Sequence, residues 1–447
     1  MFRAIKRLLR KISPTWLVDF YHFTQAVIAA LLNRFPAKRL KVIGVTGTDG
    51  KTTTCHLIDT ILSANNARVG RITTIDWKIG EQVFENNYKM TTPSPFLIQR
   101  LLRKMVEAGC EWAVVEVTSI GLSQHRLWGI PFYGAVYTNL THDHLDYHQS
   151  MEAYRLAKEK LFQGRPFLSI INADDPASSH FLKHPANRTL TYALKDQADL
   201  TAKKLYQRPS GIDFVLLYRG RQATINLPLL GEFNVYNALA AAATALGLNY
   251  SLPAVVGGLR LAKPVPGRME VIDEGQAFSV IVDYAHTPDA LQKVYETLRP
   301  AVRGRLIAVL GATGERDKAK RPIMGAIAGR LADFVIVTNE DPYREDPEAI
   351  INQVAEGVAR GRPKKGRYKL NRESDVTLKY KDTGEGVWWW RILDRRAAIA
   401  KALEMARPQD TVVVTGKGAE KVMAVGDKLV PYSDRAVLEE LLQKYRV

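Results

Sequence analysis

Gly44 to Thr54 read GVTGTDGKTTT, and this is where the sequence first offers chemistry. An apolar run, a Gly-rich turn and a helix-forming stretch make a cradle for phosphate. Backbone N–H groups and the positive end of the helix dipole converge on one point there. Lys51 is placed to neutralise the β- and γ-phosphate oxygens, and the Thr52 hydroxyl to meet a magnesium ion. Gly47, Thr48, Gly50 and Thr53 complete the loop. Val45 stands where the strict G-x-x-x-x-G-K-[ST] pattern has its first glycine, so the loop is of the T-G-T-x-G-K-[ST] kind.

Such a loop needs a strand before it and a helix after it. Lys41–Val45 supplies the strand and the residues from Thr52 the helix. Further strands are expected at 111–117, 134–138 and 167–172, alternating with helical stretches. That alternation is the pattern of a parallel sheet covered by helices. A Pro-containing stretch at 264–266 reads as a linker. Beyond it, strands are expected at 279–283, 305–310, 333–338 and 411–415. Two α/β domains follow, at 41–264 and 265–447, with residues 371–390 interrupting the second as a β-like hairpin.

The chain has 447 residues, 46% hydrophobic, and a net charge of +17. That length buries more than one core. Eight Lys/Arg against Asp19 alone put +7 of the excess in the first 40 residues. Charge of this kind suits nucleic acid, an anionic membrane or acidic substrates. No nucleic-acid motif accompanies it, and no nucleic-acid partner is expected. Cys55 and Cys110 lack metal-site spacing and fit a reducing compartment. Residues 2–12 place Phe2, Ile5, Leu8, Leu9 and Ile12 on one helical face and five cations on the other. They read either as a helix on an anionic bilayer or as one packed on the protein's own surface. Trp16 to Leu32 is rich in apolar residues but too short and too polar for a membrane-spanning helix.

Further blocks follow the phosphate loop in order: TTPSP (91–95), EVTSIGLSQHR (116–126), TNLTHDHLDYH (138–148), YRLAKEKLF (154–162), GEFNVYNALAA (231–241), VPGRMEVI (265–272), VDYAHTPDAL (282–291), GATGERDKAKRPIMG (311–325), NEDPYREDP (339–347) and GKGAE (416–420). With them the sequence resembles the Mur ligases from about residue 41 onward. These are ATP-dependent amide ligases that add amino acids to the peptidoglycan stem peptide. The likeness is to the MurE type, which adds the third residue.

The resemblance implies a central ATPase domain with a phosphate loop and a Rossmann-like C-terminal domain. It implies ATP, two Mg²⁺ ions, and an acyl phosphate attacked by an amine. It gives Thr52, Glu116, His144 and a carbamylated Lys158 as the metal set. A carbamate is an anion that binds Mg²⁺, where a free lysine repels it. Asn234 and Asn237 would read adenine, Asp283 the ribose, Arg268 the phosphates, and His286 would lie near the nucleoside. Thr91, Thr92, Thr118, Gln124 and Arg126 fall on positions that hold a UDP-MurNAc-dipeptide. Arg316, Glu340, Asp341, Arg344 and Glu420 fall on those that meet the incoming amino acid. A cytoplasmic monomer is implied, with membrane-surface contact through residues 1–34 as an addition.

Two departures from the family pattern bear on substrate. Only 40 residues precede the phosphate loop, too few for the uridine-gripping domain of the MurE type. Diaminopimelate-adding relatives carry DNPR, whose Arg pairs with a carboxylate, and this chain has Glu340-Asp341-Pro342-Tyr343. A lysine- or ornithine-like diamino acid is one outcome. Diaminopimelate, held by Arg344, is the other. GKGHE has become GKGAE at Ala419, and the usual SSHG is TSIG. A folylpolyglutamate synthase-like ligase and a catalytically silent relative binding membrane or anionic polymer are the alternatives. The TTPSP, DYAHTPDA and GERDKAKRP blocks favour the MurE type over the first. Intact Lys51, Glu116, His144 and Lys158 argue against the second.

Overall fold

The computed structural model describes residues 14–445, except 87, 89, 209 and 362–386. The basic segment 2–12 and most of the expected hairpin, 371–386, lie outside the described residues.

Val42–Val45 and Ala113–Val115 are apolar at consecutive positions. A strand of that kind must be covered on both faces, which a helix-flanked parallel sheet provides. The first sheet contains β1 (Lys41–Thr46), β2 (Val69–Ile72), β3 (Asp76–Ile79), β4 (Gln82–Glu85), β5 (Trp112–Glu116), β6 (Phe132–Tyr137), β7 (Leu168–Asn172), β8 (Arg188–Ala193), β9 (Leu200–Arg208), β10 (Gly211–Tyr218) and β11 (Arg221–Leu227). Their order is β11-β10-β9-β8-β7-β6-β1-β5-β2-β3-β4. From β9 to β2 in that order neighbours are parallel, and antiparallel hairpins extend both ends. One apolar cluster packs each face of this sheet.

The second sheet contains β12 (Glu270–Val271), β13 (Ser279–Asp283), β14 (Leu306–Leu310), β15 (Phe334–Val337), β16 (Trp389–Arg391) and β17 (Thr411–Thr415), in the order β12-β13-β17-β14-β15-β16. Only β12 is antiparallel to its neighbour. The alternation in sequence thus gives two α/β units, with strand ends within about two residues of expectation. The described end of the expected hairpin differs. Trp389–Arg391 joins the sheet edge parallel to β15, so it is a crossover strand.

Ligands in open α/β sheets bind beyond the carboxyl ends of strands where the strand order reverses. Here the chain leaves β1 toward β2 on one side and later returns to β6 on the other. The carboxyl ends of β1, β5 and β6 therefore carry the phosphate loop, Glu116 and Thr138–Asn139 to one crevice.

Beside it lies a buried ion cluster. Arg71 pairs with Asp59 and with Asp76 (2.6 Å), and Lys78 with Asp59 (2.7 Å). Thr73 Oγ1 donates to Asp76 Oδ1 (2.9 Å), and the Thr73 N–H to the Asp76 carbonyl (2.9 Å). These bonds set the loop that presents Thr74. Trp16 to Leu32 falls within an 18-residue helix, Thr15–Leu32, that lies against the helix Pro95–Glu107. Among the described residues no helix is long and apolar enough to cross a membrane.

Candidate functional site

The phosphate loop depends on two glycines. A Cβ at Gly47 would sit 1.8 Å from Thr138 Oγ1, and one at Gly50 would sit 2.3 Å from Asn237 Oδ1. Gly50 has φ 80° and caps the helix Lys51–Ala64, a conformation glycine adopts without steric cost. Asn139 Oδ1 accepts from the Thr48 and Asp49 N–H groups (3.2 and 2.9 Å) and so fixes the loop's shape. Lys51 Nζ donates to the Thr48 carbonyl (2.5 Å). Thr53 is buried in the first turn of the helix.

Thr52 Oγ1 donates to Glu116 Oε2 (2.9 Å), and Arg268 reaches across from the second unit to Thr52 Oγ1 (3.3 Å). Glu116 Oε2 also accepts from the Thr74 N–H (2.9 Å) and Thr74 Oγ1 (3.0 Å). A hydroxyl and a carboxylate meeting at one point are hard oxygen donors, the set that suits Mg²⁺.

His144 and Lys158 meet at Tyr154. Lys158 Nζ lies 4.3 Å from the Tyr154 ring centre, and the His144 ring is 6.0 Å from the Tyr154 ring. Lys158 is buried and donates to the Gly47 carbonyl (2.6 Å). Burial, then Lys51, holds its pKa well below the usual lysine value. Burial also pushes His144 down to about 3, with Lys158 and Lys51 adding to it against Asp143. The imidazole is therefore neutral, its metal-binding form. Burial alone would raise Asp143, but His144 and Lys320 hold it below the usual carboxylate range. No group of three His, Cys, Asp or Glu gathers here among the described residues. The donors present fit a hard divalent ion at Thr52 and Glu116, and a second beside His144 only if Lys158 becomes an oxygen ligand.

A cleft of about 770 Å³ runs from Thr52 to the second unit, lined by Asn237, Arg268, Asp283 and His286 among others. That volume lies within the usual range for a small-molecule site. Asn234 Nδ2 donates to the Leu230 carbonyl (2.7 Å), and its Oδ1 accepts from Asn237 Nδ2 (2.9 Å). Asp283 accepts from the Met269 and Ala285 N–H groups (both 2.7 Å), so one oxygen holds the backbone just after the linker and the other the turn that follows β13. Arg268 stacks on Tyr284 at 4.4 Å. Burial, then Lys320, pushes His286 down to about 4.

The residues implied to hold the sugar and peptide form one hydrogen-bonded group. The Thr91 hydroxyl donates to Thr74 Oγ1 (2.9 Å), whose own proton goes to Glu116, and Thr118 Oγ1 donates to Thr92 Oγ1 (3.0 Å). Arg126 donates to the Thr92 carbonyl (2.7 Å) and to Gln124 Oε1 (2.6 Å).

In the second unit, buried Lys417 pairs with Asp341 (3.1 Å) and Glu420 (2.9 Å). Thr313 donates to Glu340 Oε1 (2.7 Å), while Glu340 Oε2 is buried without a hydrogen-bond partner among the described residues. Tyr343 has φ 51° and packs beside Arg316. Arg344 departs from expectation, because the structure turns it to the surface, where it pairs with Asp427. The reason is local: Tyr343 is tied to the Val422–Val425 strand through an isolated bridge to Val425, and the next side chain meets the turn that follows.

Sequence reasoning passed over several residues. Asn139, Asp143, Tyr154 and Lys417 lie inside blocks it quoted, and their polar types were the available signal. Thr74 lies in no such block, and only its tertiary contact with Glu116 reveals it.

Known proteins resemble this chain in sequence and fold. The Mur ligase middle domain family matches residues 45–245, and the Mur ligase glutamate ligase domain family matches residues 267–418. A protein of Geobacillus thermodenitrificans named UDP-N-acetylmuramoyl-L-alanyl-D-glutamate–2,6-diaminopimelate ligase is 38% identical over 441 residues, 97% of this chain and 85% of that protein. A solved structure of a ligase of that same name is 33% identical with a TM-score of 0.59, covering 91% of this chain and 78% of its own. Folylpolyglutamate synthase of Mycobacterium tuberculosis, complexed with ADP and AMPPCP, is 20% identical with a TM-score of 0.69 over 88% of this chain and 92% of its own, a likeness of fold alone. The chain belongs to the Mur ligase family of ATP-dependent amide-bond-forming enzymes.

Proposed function

We propose that the chain is a ligase of peptidoglycan precursor synthesis that joins a diamino acid to the free carboxylate of UDP-N-acetylmuramoyl-L-alanyl-D-glutamate. The observation that carries this reading is a cleft between the two units, lined by Gly50, Thr52 and Thr53 of the phosphate loop and by Asn237, Arg268, Asp283 and His286. Thr52 bonds Glu116 beside it, Glu116 bonds the Thr74–Thr91 and Thr92–Thr118 hydroxyls, and Glu340, Asp341 and Glu420 gather in the second unit. Lys51 and the helix N-terminus would hold the triphosphate. The acceptor carboxylate attacks the γ-phosphorus and ADP leaves. The amine then attacks the acyl phosphate, an amide forms and phosphate departs. Thr52 and Glu116 would hold one magnesium ion, and His144 with Lys158 a second. Bound there, the ions would neutralise charge gathering on the phosphates.

Burial of Lys158 beside Lys51 supports its carbamylation. A neutral amine can bond to the carbon of CO₂ and lose a proton, which turns a repelling cation into an oxygen ligand. Asn234, Asn237, Asp283 and His286 form the nucleoside end in this reading. Residues 41–264 form the ATP-binding domain and 265–447 the amino-acid domain. In this reading the ligase acts as a monomer. The reaction is assigned to the cytoplasm.

Tyr343 in place of a clamping arginine, with Arg344 turned to Asp427, supports lysine or ornithine as the amino acid. The name of the Geobacillus relative favours a second reading, diaminopimelate. ADP release is the test, measured with the UDP-linked dipeptide and each amino acid in turn. Release that depends on both substrates is expected, with kcat/KM ranking the amino acids. ADP release without either substrate, or none with any pair, would overturn the reading.

A further inference from the structure

The helix Thr15–Leu32 faces the wrong way for a simple packing element. Its buried positions are Ala26, Ala29 and Ala30, while Trp16 is 68%, Phe20 60%, Leu31 57% and Leu32 67% exposed. Leu17 and Ile28 are exposed as well. At about 100° per residue these six share one half of the helix circumference. That half carries no Asp, Glu, Lys or Arg. The helix's one charged residue, Asp19, lies on the other side and pairs with His125 (2.9 Å).

Cations gather at the C-terminal end of the apolar face. Arg34, Lys38 and Arg39 are exposed just beyond the helix. Arg100, Arg103 and Lys104 of the neighbouring helix line a groove of about 420 Å³ together with Leu32 and Phe96. Glu107 shares that groove and pairs with Arg103 (2.9 Å).

We propose that this face docks on an anionic lipid bilayer. The helix lies in the interface plane, its large side chains among the acyl chains and its rim of cations at the phosphates. Charge selects this occupant. A second copy would bring two basic rims together. Residues 1–13 carry Arg3, Lys6, Arg7, Arg10 and Lys11 and no acid, so laying them over the face would crowd like charges in the same way. A bilayer with acidic headgroups offers an apolar layer edged by negative charge. The inference goes beyond the ligase reading and does not depend on it.

The test is co-sedimentation of the full chain with phosphatidylcholine vesicles, with and without phosphatidylglycerol, alongside light scattering of the free protein. The chain is expected to pellet with the anionic vesicles, and about tenfold less with phosphatidylcholine alone or at high salt. Trp16→Glu/Phe20→Glu/Leu31→Glu is expected to lose at least about tenfold in partitioning with its ADP release unchanged. Trp16→Ser/Leu31→Ser serves in its place should three glutamates disturb the helix. Arg100→Gln/Lys104→Gln is expected to lose part of the preference for anionic vesicles. Equal partitioning of the native chain and the face variants overturns the proposal. So does equal binding to both kinds of vesicle, or a dimer that the face variants dissociate while no vesicle is bound.

Discussion

The phosphate loop and the amino-acid region of the second unit are held by different means. At the phosphate end one continuous segment, Gly44–Thr54, does most of the work through its backbone, and neighbouring strand ends lock it in place. In the amino-acid region the groups come from Arg316, Glu340–Tyr343 and Lys417–Glu420, and the buried ion pairs of Lys417 with Asp341 and Glu420 hold the last two segments together. The first arrangement depends on glycines and one lysine. The second can change substrate by changing one side chain while the fold stays as it is.

The largest effect is expected where charge density is greatest. Lys51→Ala removes the cation facing the phosphates and leaves the loop's backbone in place. A loss of about 3–4 kcal/mol in transition-state stabilisation is the order expected for one such donor. Steady-state kcat with ATP measures it, and unchanged turnover would take the phosphate site away from this loop.

Lys158→Ala comes next. The residue is fully enclosed, so its loss leaves a cavity as well as a missing ligand. Turnover is expected to fall to background and to recover in part with a short carboxylic acid, which supplies the lost anion. Depleting the buffer of bicarbonate should slow the native enzyme in the same direction. A mass spectrum of active enzyme, taken under conditions that preserve carbamates and showing an unmodified Lys158, would remove the modification from the mechanism.

These two residues also show what was legible in the sequence. Lys51 could be read from local spacing, because strand, turn and helix follow one another along the chain. Lys158 could be read only through resemblance, since an isolated lysine on a helix gives no sign of burial. Thr74 could not be read at all. Its role comes from the Arg71–Asp76–Thr73 cluster that aims it at Glu116, a contact across 42 positions of sequence. The α/β alternation was legible because buried parallel strands are apolar at every position. The course of Trp389–Arg391 was not, since three residues at a sheet edge carry no periodicity.

Thr74→Val sharpens the contrast within the phosphate end. The change removes one hydroxyl donor to Glu116 Oε2, while the Thr74 N–H remains. Residues that orient a metal ligand typically change metal affinity by about 10–100-fold. The Mg²⁺ concentration for half-maximal turnover is expected to rise toward the lower part of that range, with kcat at saturating Mg²⁺ nearly restored. A fall in kcat that Mg²⁺ does not rescue would show that Thr74 acts elsewhere.

At the amino-acid end the changes should move preference more than rate. Tyr343→Arg places a guanidinium beside Arg316 and Glu420. It should raise kcat/KM for meso-diaminopimelate relative to lysine by about tenfold, the order of one charge-assisted hydrogen bond. The positive φ at Tyr343 is shared by native and variant, so backbone strain does not confuse the comparison. A native enzyme already strongly selective for diaminopimelate would mean that another cation meets its distal carboxylate.

Arg344→Ala tests whether Arg344 is that cation, and the smallest effect is expected here. Arg344 and Asp427 are 42% and 64% exposed. A surface ion pair of this kind loses most of its attraction to solvent screening and to the entropy of two long side chains. Removing the arginine should leave the melting temperature unmoved and the ranking of lysine, ornithine and meso-diaminopimelate as it was. A selective loss of diaminopimelate turnover would show that Arg344 leaves Asp427 to meet the substrate. The acceptor pocket would then form by rearrangement on binding, unlike the phosphate end, whose loop and glycines are already in place.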